Sequence, residues 1–273
     1  RKDIVTSGLA IQKELTEERV YDRFRNRLMF PIHDLQGRLI GFGGRTMGND
    51  DAKYLNSSES PLYHKSNVLF GIHLAKEAMR DKKQVIVVEG YFDVLACHRV
   101  GAIHTVGSCG TALTDEHAKL LKRYVDTVVL CLDQDRAGRE AAERAFQTCC
   151  KEGLAVNGIV LGTKDPADAA VEDAAGLKAI LETGGKPYLD IVLEDISSQD
   201  LNAPAVRKAA LDRLLTLLQA LPTSTDRTFW MRKAAEAMKI SETALQDDLR
   251  ATESSKGTPF RRSSAQNSAP HAM

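Results

Sequence analysis

Residues 84–94 read Q-V-I-V-V-E-G-Y-F-D-V, and this stretch decides the fold. Four consecutive β-branched apolar residues indicate a strand that is buried on both faces, as strands of a parallel sheet are. Glu89 follows the strand at once, and a helical stretch over 91–99 begins after Gly90. The order of strand, sharp turn and helix predicts a βα unit with a carboxylate at the end of its strand.

The same arrangement continues downstream of this unit. Residues 102–107, 127–133 and 154–161 are further short apolar runs, and helical stretches over 115–124 and 136–151 lie between them. Strands that alternate with helices predict a parallel sheet with helices on its faces. The expected fold class is therefore α/β.

The segments on either side of these units differ in character. Residues 1–82 are basic and rich in glycine, with two short strands around the Gln36–Gly37 turn and a helix over 67–81. Residues 166–250 are mostly helical, and the remainder is rich in serine, proline and asparagine. The predicted division is a basic N-terminal subdomain (1–82), a catalytic domain (83–165), a helical subdomain (166–250) and a disordered linker or tail (251–273).

Acidic residues stand at the ends of three of the predicted strands. They are Glu89, the pair Asp133 and Asp135, and the pair Asp165 and Asp168. Because ligands of open parallel sheets bind beyond the carboxyl ends of the strands, we expect all three clusters at one edge, with Asp133 and Asp135 on the same side. Hard cations such as Mg²⁺ prefer oxygen ligands, so the sequence predicts a divalent-metal site for phosphoryl transfer.

Each of these acidic signals also has a plainer interpretation. A single glutamate after a strand is often solvated or caps a helix, D-x-D before a helix often caps it, and D-P-x-D is a common turn. Asp93, four residues after Glu89, either faces the site or caps its helix. The occurrence of all three signals at the ends of successive βα units favours the metal site.

Charge is unevenly distributed along the chain. The 273 residues carry 37 basic and 37 acidic side chains, a balance that taken alone argues against nucleic-acid binding. Residues 19–45, however, hold six arginines against two acids, whereas residues 165–200 hold nine acids against two lysines. A basic segment beside an acidic metal site suits a polymerising enzyme, because phosphates need cations and metals need carboxylates.

Composition narrows the classes of protein to which this chain could belong. The five cysteines form no C-x-x-C pair, which disfavours a zinc site and is typical of reduced cysteines in a cytoplasmic protein. No apolar run reaches membrane-spanning length, so we expect no membrane association. The chain starts at Arg1 and has no signal-peptide pattern, and we expect it to be a piece of a longer polypeptide.

Several motifs resemble a known family. The stretches V-V-E-G-Y-F-D-V (87–94) and L-D-Q-D-R-A-G-R (132–139) resemble the Toprim domain that topoisomerases, primases and some nucleases share. The upstream stretches Y-D-R-F-R-N-R-L-M-F-P-I, G-F-G-G-R and K-Y-L-N-S, with V-G-S-C-G-T-A-L-T further on, are similar to the RNA polymerase core of bacterial replicative DNA primase. The resemblance extends over roughly residues 18–250 and implies a Toprim parallel-sheet core, flanked by a mixed α+β N-terminal subdomain and a helical C-terminal subdomain.

The resemblance also implies a set of site residues. Glu89, Asp133 and Asp135 would be catalytic and bind the metals, with Asp165 and Asp168 completing the metal site. Many relatives read D-P-D where this chain reads D-P-A-D, which leaves open the side chain that replaces the second aspartate. Mg²⁺ is the expected metal, with Mn²⁺ as a substitute. The positions that match family contacts to single strands or nucleotides are Arg23, Arg25, Arg45, Lys53, Tyr54, Asn56 and Lys65.

The implied function is synthesis of short RNA primers on a single-stranded DNA template during chromosome replication. The implied partners are ribonucleoside triphosphates, the RNA primer, single-strand binding protein and the replicative helicase, the last through a C-terminal domain not found in this chain. Zinc is expected only in the family's N-terminal domain, and the chain is expected to be a cytoplasmic monomer at the replication fork. The alternatives are a Toprim nuclease or topoisomerase and a non-catalytic DNA-binding Toprim module.

Overall fold

The structure is a computed structural model, and it describes residues 2–12, 19–49, 52–133 and 135–256. Its strands are β1 Ala10–Gln12, β2 Val20–Asp22, β3 Arg27–His33, β4 Leu39–Thr46, β5 Tyr54–Asn56, β6 Gln84–Val88, β7 Thr105–Gly107, β8 Thr127–Leu130, β9 Ala155–Gly158 and β10 Lys186–Pro187. Its helices are α1 Lys2–Thr6, α2 Ile72–Lys82, α3 Tyr91–Arg99, α4 Asp115–Lys122, α5 Arg136–Lys151, α6 Pro166–Glu172, α7 Ala174–Glu182, α8 Tyr188–Ser197, α9 Pro204–Gln219, α10 Ser224–Met238 and α11 Glu242–Lys256.

The central sheet is parallel, as the sequence predicts. Strands β9, β8, β6 and β7 lie side by side in that order, and the short β10, which the sequence did not predict, joins β9 antiparallel. The chain passes from β6 to β7 on one side and then returns to β8 on the other. Such a reversal of strand order opens a crevice beyond the carboxyl ends of the strands. Glu89 follows β6 and Asp133 follows β8, so these two carboxylates flank the crevice.

Both faces of the central sheet are buried, which explains the unbroken apolar character of its strands. Val85 and Val87 of β6 pack into one core cluster, together with α2, α4, α5 and the C-terminal helices. The alternate residues Ile86 and Val88 pack into a second cluster, with α3, α6 and α7. Because successive side chains of a strand point to opposite faces, each valine or isoleucine of β6 serves one of two separate cores.

The basic N-terminal segment forms its own antiparallel sheet, in the order β3-β4-β5. An aromatic cluster joins this sheet to the central one, because the ring of Tyr91 at the start of α3 stacks on Phe30 of β3 with centroids 4.6 Å apart. Gly43 of β4 makes the contact possible, since a Cβ atom there would lie 2.3 Å from the Tyr91 ring. The absence of a side chain at Gly43 therefore admits an aromatic ring from the helix that follows β6.

Two of the predicted segments end at other residues than expected. The helix predicted over 67–81 begins at Ile72, and its buried face packs into a core of the central sheet. Residues 251–256, which were expected to belong to a disordered tail, are helical, because α11 continues to Lys256. Leu245 and Leu249 bury this helix in the first core cluster. The rest of the predicted tail, 257–273, lies outside the described residues, and no described helix is long and apolar enough to cross a membrane.

Candidate active site

One cavity of about 930 Å³ lies between the basic N-terminal sheet and the carboxyl ends of the parallel strands. It brings together acidic residues that the sequence places in separate βα units and basic residues from the first 82 positions. The acidic residues that line it are Glu89, Asp93, Asp133, Asp165 and Asp168. The basic residues that line it are Arg23, Arg45, Lys53, Lys65 and Lys164.

Glu89 and Asp133 are in direct contact at the crevice. The backbone N–H of Asp133 donates a hydrogen bond to Oε1 of Glu89 at 3.1 Å, which holds the two strand ends together. Gly138 allows the chain to turn from Asp133 into α5, because a Cβ atom at this position would lie 2.1 Å from the Asp133 carbonyl oxygen. The D-x-D-x-x-G spacing therefore has a steric reason. The Asp133 N–H holds the Glu89 carboxylate, and the close approach of Gly138 fixes the backbone of Asp133.

The carboxylate of Asp133 lies in an electrostatically unfavourable environment. Burial, together with the charges of Glu89 and Asp165, raises the pKa of Asp133 to about 6, although Lys164 lowers it in part. Carboxylates that share a site disfavour one another's ionised form, and a bound cation relieves this repulsion. Lys164, whose only sequence signal is its place next to Asp165, was not predicted as a site residue.

Asp93 both caps its helix and faces the site, so the two alternatives left open for it hold together. Its Oδ2 accepts the Gly90 N–H at 2.8 Å, and its Oδ1 accepts the Ala167 N–H at 3.2 Å. This buried carboxylate thus ties the turn after Glu89 to the start of α6. Burial is the main cause that raises the pKa of Asp93 to about 7, and the charges of Asp165 and Asp133 add to it.

The other aspartates divide between the cavity and the helix ends. Asp165 lines the cavity and also caps α6, where its Oδ1 accepts the Asp168 N–H at 2.8 Å. Asp168 is exposed at the cavity wall. Asp135 does not line the cavity, and it lies five residues beyond the end of β8 at Leu130. Its Oδ1 instead caps α5 by accepting the Gly138 N–H at 2.8 Å.

The basic wall combines cations with aromatic rings. The Arg45 guanidinium lies 4.9 Å from the centre of the Phe92 ring and 5.9 Å from that of Tyr54. Tyr54 is 39% exposed, so part of its ring is open to the cavity. Lys53 is exposed beside it and Lys65 is half-buried. This arrangement suits a phosphodiester strand whose bases stack on aromatic side chains.

Two of the residues predicted to bind nucleic acid have other surroundings. Arg25 is exposed outside the cavity, with its guanidinium 5.5 Å from the centre of the Tyr21 ring. Asn56 lines the cavity, but its side chain is engaged within the protein by Tyr91 and by the backbone of Cys109. Arg23 lines the cavity, and its Nε donates to the Asn56 carbonyl at 2.9 Å. The remaining predicted contacts, Arg45, Lys53, Tyr54 and Lys65, all line the cavity.

The parallel sheet and the carboxylates at its switch point define a Toprim protein, and comparison with known families agrees. Residues 86–170 match the family model described as Toprim-like, and residues 1–76 match that of the N-terminal domain of the DNA primase catalytic core. The chain belongs to the DNA primase family and corresponds to its catalytic core.

Relatives of known identity share the sequence over most of the chain. It is 39% identical over 263 residues to the DNA primase of Synechococcus elongatus, covering 91% of the chain and 38% of that protein. It is 34% identical over 267 residues to the DNA primase of Escherichia coli strain K12, covering 95% of the chain and 45% of that protein. The chain thus spans less than half the length of these curated relatives.

Solved structures share the fold as well. A crystal structure of a DNA primase domain from Pseudomonas aeruginosa superposes with a TM-score of 0.77 at 31% identity, covering 91% of this chain and 79% of that one. A structure of the DnaG primase catalytic domain bound to single-stranded DNA gives a TM-score of 0.72 at 34% identity, covering 89% of this chain and 78% of that one. The predicted fold class and family are therefore confirmed.

Proposed function

We propose that this chain is a DNA-directed RNA polymerase core that joins ribonucleotides into short RNA primers on a single-stranded DNA template. The observation that carries the proposal is the single cavity in which Toprim carboxylates and a basic aromatic wall face the same space. Membership of the primase family favours this function over the nuclease, topoisomerase and non-catalytic alternatives.

The carboxylates of the cavity fit a divalent cation. No three acidic, histidine or cysteine side chains within the described ranges converge on a point that could hold a metal ion. The donor set nevertheless consists of hard oxygens, and burial, together with the charges of Glu89 and Asp165, raises the pKa of Asp133. We assign Mg²⁺, with Mn²⁺ as a substitute, to Glu89, Asp133 and Asp165, and we keep Asp135 and Asp168 as further ligands. Two such ions would activate the attacking hydroxyl and stabilise the leaving oxygen.

The protein side chains supply binding and orientation. In the reaction the 3′-hydroxyl of the growing RNA attacks the α-phosphorus of a ribonucleoside triphosphate, and pyrophosphate leaves. Arg45 and Lys53 would bind phosphates, and the exposed part of the Tyr54 ring would stack on a base. Lys65 and Arg23 add positive charge on the same wall. Since phosphoryl transfer depends chiefly on positioning and charge stabilisation, these groups account for the protein's share of the chemistry.

The proposed reaction also implies partners and a place in the cell. Template DNA, ribonucleotides and the RNA product would occupy the cavity, and single-strand binding protein would meet the chain on the same template. Contact with the replicative helicase would need a C-terminal domain of the whole protein, and zinc would belong to an N-terminal one. We place the chain, as a monomer, at the replication fork in the cytoplasm.

A primer-synthesis assay with labelled ribonucleotides, single-stranded DNA and Mg²⁺ or Mn²⁺ tests the function. Asp133→Ala should abolish synthesis without unfolding the chain, because it removes a carboxylate that lines the cavity. Asp135→Ala should abolish synthesis too if Asp135 is a ligand, but it also removes a helix cap and so costs about 1 kcal/mol of stability. Asp173→Ala is the matched control, since Asp173 caps α7 by accepting the Gly176 N–H at 2.9 Å.

The outcomes separate catalysis from folding. If Asp135→Ala and Asp173→Ala lose equal stability and only the former loses synthesis, Asp135 is a ligand. If both retain synthesis, Asp135 is a cap alone. Normal primer yield from Asp133→Ala at matched folding contradicts the assignment of the site.

A further inference from the structure

Asn56 is held within the protein in a way that direct binding of a nucleotide would not require. We propose that Asn56 is a positioning residue, which fixes the basic strand β5 against the backbone segments that present Glu89. The expected effect of Asn56 on catalysis rests on the proposed function, because it presupposes that the chain synthesises primers. It replaces the expectation that Asn56 binds nucleic acid or nucleotide itself.

Both ends of the Asn56 side-chain amide are engaged by other residues. Its Oδ1 accepts the hydroxyl of Tyr91 at 2.7 Å, and its Nδ2 donates to the carbonyl of Cys109 at 2.9 Å. The main-chain carbonyl of Asn56 accepts Nε of Arg23 at 2.9 Å. A contact between the Asn56 amide and a ligand would therefore compete with hydrogen bonds that join two parts of the cavity wall.

The two residues that bond the Asn56 side chain both lie next to Glu89, one in sequence and one through a backbone hydrogen bond. Tyr91 lies two residues after Glu89, and the backbone N–H of Cys109 donates to the Glu89 carbonyl at 2.8 Å. The Asn56 amide thus reaches the Glu89 backbone from both sides, once through α3 and once through the loop after β7. Among the described residues, these two are the only side-chain hydrogen bonds that join β5 to α3 or to the loop after β7.

Each partner of Asn56 is held in a defined conformation, so the geometry of its hydrogen bond to Asn56 is defined as well. The Tyr91 ring is buried and stacked on Phe30, which fixes the direction of its hydroxyl. Cys109 has φ of +47°, a left-handed conformation that L-residues adopt only when their surroundings impose it. Cys109 accepts the hydrogen bond from Asn56 in this conformation.

A kinetic double-mutant cycle tests the proposal in the purified chain. Asn56→Ala, Tyr91→Phe and the double variant are compared for kcat, for KM of ribonucleotides and for affinity toward single-stranded DNA. We expect kcat to fall about tenfold in each single variant, because small misplacement of reacting groups is costly. The kcat of the double variant should be no lower than that of the less active single variant, since both substitutions break the same hydrogen-bond network. KM and DNA affinity should stay at their original values.

Matched controls remove the same groups elsewhere. Asn202→Ala changes an exposed asparagine near the start of α9, and Tyr63→Phe removes the hydroxyl of another buried tyrosine of the aromatic cluster. Neither residue lines the cavity, so both controls should keep full activity. Lower DNA affinity or higher nucleotide KM in Asn56→Ala, with Tyr91→Phe neutral, would show direct ligand binding by Asn56 and overturn the proposal. Additive losses of kcat would overturn it too.

A second readout does not depend on activity. All five cysteines lie within the described residues, and Cys109 is half-buried whereas the other four are buried. Loss of the Asn56 contact should free the Cys109 loop, so a thiol reagent should label Cys109 severalfold faster in Asn56→Ala than in the two controls. Tyr91→Phe is left out of this readout, because the Tyr91 hydroxyl also interacts with the Cys109 thiol itself. Unchanged labelling in Asn56→Ala overturns the proposal. A wild-type chain that makes no primers refutes the proposed function alone, and the labelling rates still decide the role of Asn56. Tyr91→Phe keeps its ring and serves in the kinetic comparison if Asn56→Ala fails to fold.

Discussion

Individual side chains of the basic wall differ in what they can contribute to binding. Arg45 lies between two aromatic rings and lines the cavity, whereas Arg38 pairs with Asp34 at 2.7 Å outside it. Arg45 within β4 and Arg38 in the turn just before it therefore make a matched pair, in which one faces the proposed template and the other does not.

Arg45→Ala should weaken binding of single-stranded DNA, because it removes a cation that, in the proposed function, contacts a phosphate. The slope of log affinity against log salt should become shallower by about 0.7, the value for one phosphate on a single strand. A fluorescence titration over a range of salt concentrations measures both quantities. Arg38→Ala should leave both unchanged. If Arg45→Ala leaves affinity, slope and nucleotide use intact, Arg45 does not contact the ligand.

The position of a single side chain could be predicted from sequence where the backbone around it is regular. Glu89 directly follows a regular strand, and its place at the sheet edge was predicted correctly. Asp135 lies outside the cavity, and its side chain accepts the Gly138 N–H at the start of α5, a contact that strand alternation does not describe. Asn56 was predicted to lie at the site, but its hydrogen bonds to Tyr91 and Cys109 join positions 35 and 53 residues away, which no local pattern reveals.

Secondary-structure elements meet at a tight junction where β8 passes into α5. Gly138 occupies the third position of α5, donates its N–H to the capping Asp135, and lies against the Asp133 carbonyl. The spacing of the acidic motif and the start of the helix are thus one structural unit.

Gly138→Ala should disrupt this junction, since its Cβ would lie 2.1 Å from a backbone oxygen that cannot rotate away. We expect a loss of about 1–3 kcal/mol in the free energy of unfolding and a loss of primer synthesis as Asp133 shifts. Gly162→Ala is the control, because a Cβ there has no atom within 4 Å and the residue does not have positive φ. Denaturant unfolding and the primer assay measure the two effects, and equal behaviour of both variants would refute the steric argument.

The elements of the catalytic domain were predictable because their signals are local. The helices over 91–99 and 136–151 agree with α3 and α5 at both ends, where glycine and aspartate mark the starts. The short β10 carries no apolar signal, and it forms only because it pairs with β9. The packing of α2 on the central sheet is likewise a tertiary contact that its own sequence does not specify.

A buried histidine, His104, affects how the stability of the whole molecule depends on pH. His104 is 1% exposed, and neither ring nitrogen has a hydrogen-bond partner in the part of the chain that the structure describes. Burial lowers the pKa of His104 to about 4 from its ordinary value of 6.5. Between these values the unfolded chain binds a proton that the folded chain does not, so His104 reduces stability as pH falls through this range.

His104→Met should therefore make the chain more stable relative to wild type as the solution becomes more acidic. The difference in unfolding free energy should grow by about 1.4 kcal/mol for each pH unit below 6.5, down to about pH 4. Denaturant unfolding of both proteins at several pH values measures it. Burial raises the pKa values of Asp93 and Asp133, and their contribution has the opposite sign. It cancels in the difference because both proteins contain them. A difference that is constant with pH would contradict the lowered pKa.

The contact between Gly43 and Tyr91 restricts how this protein can change over evolutionary time. Gly43 belongs to the antiparallel sheet and Tyr91 to the helix that follows β6, yet a side chain at 43 cannot coexist with the Tyr91 ring in its present place. A lineage that replaced the glycine would first have to shrink the ring, and with it lose the hydroxyl that reaches Asn56. Substitutions at these positions should therefore be inherited together, and the basic segment and the Toprim segment should not be exchanged separately between distant relatives.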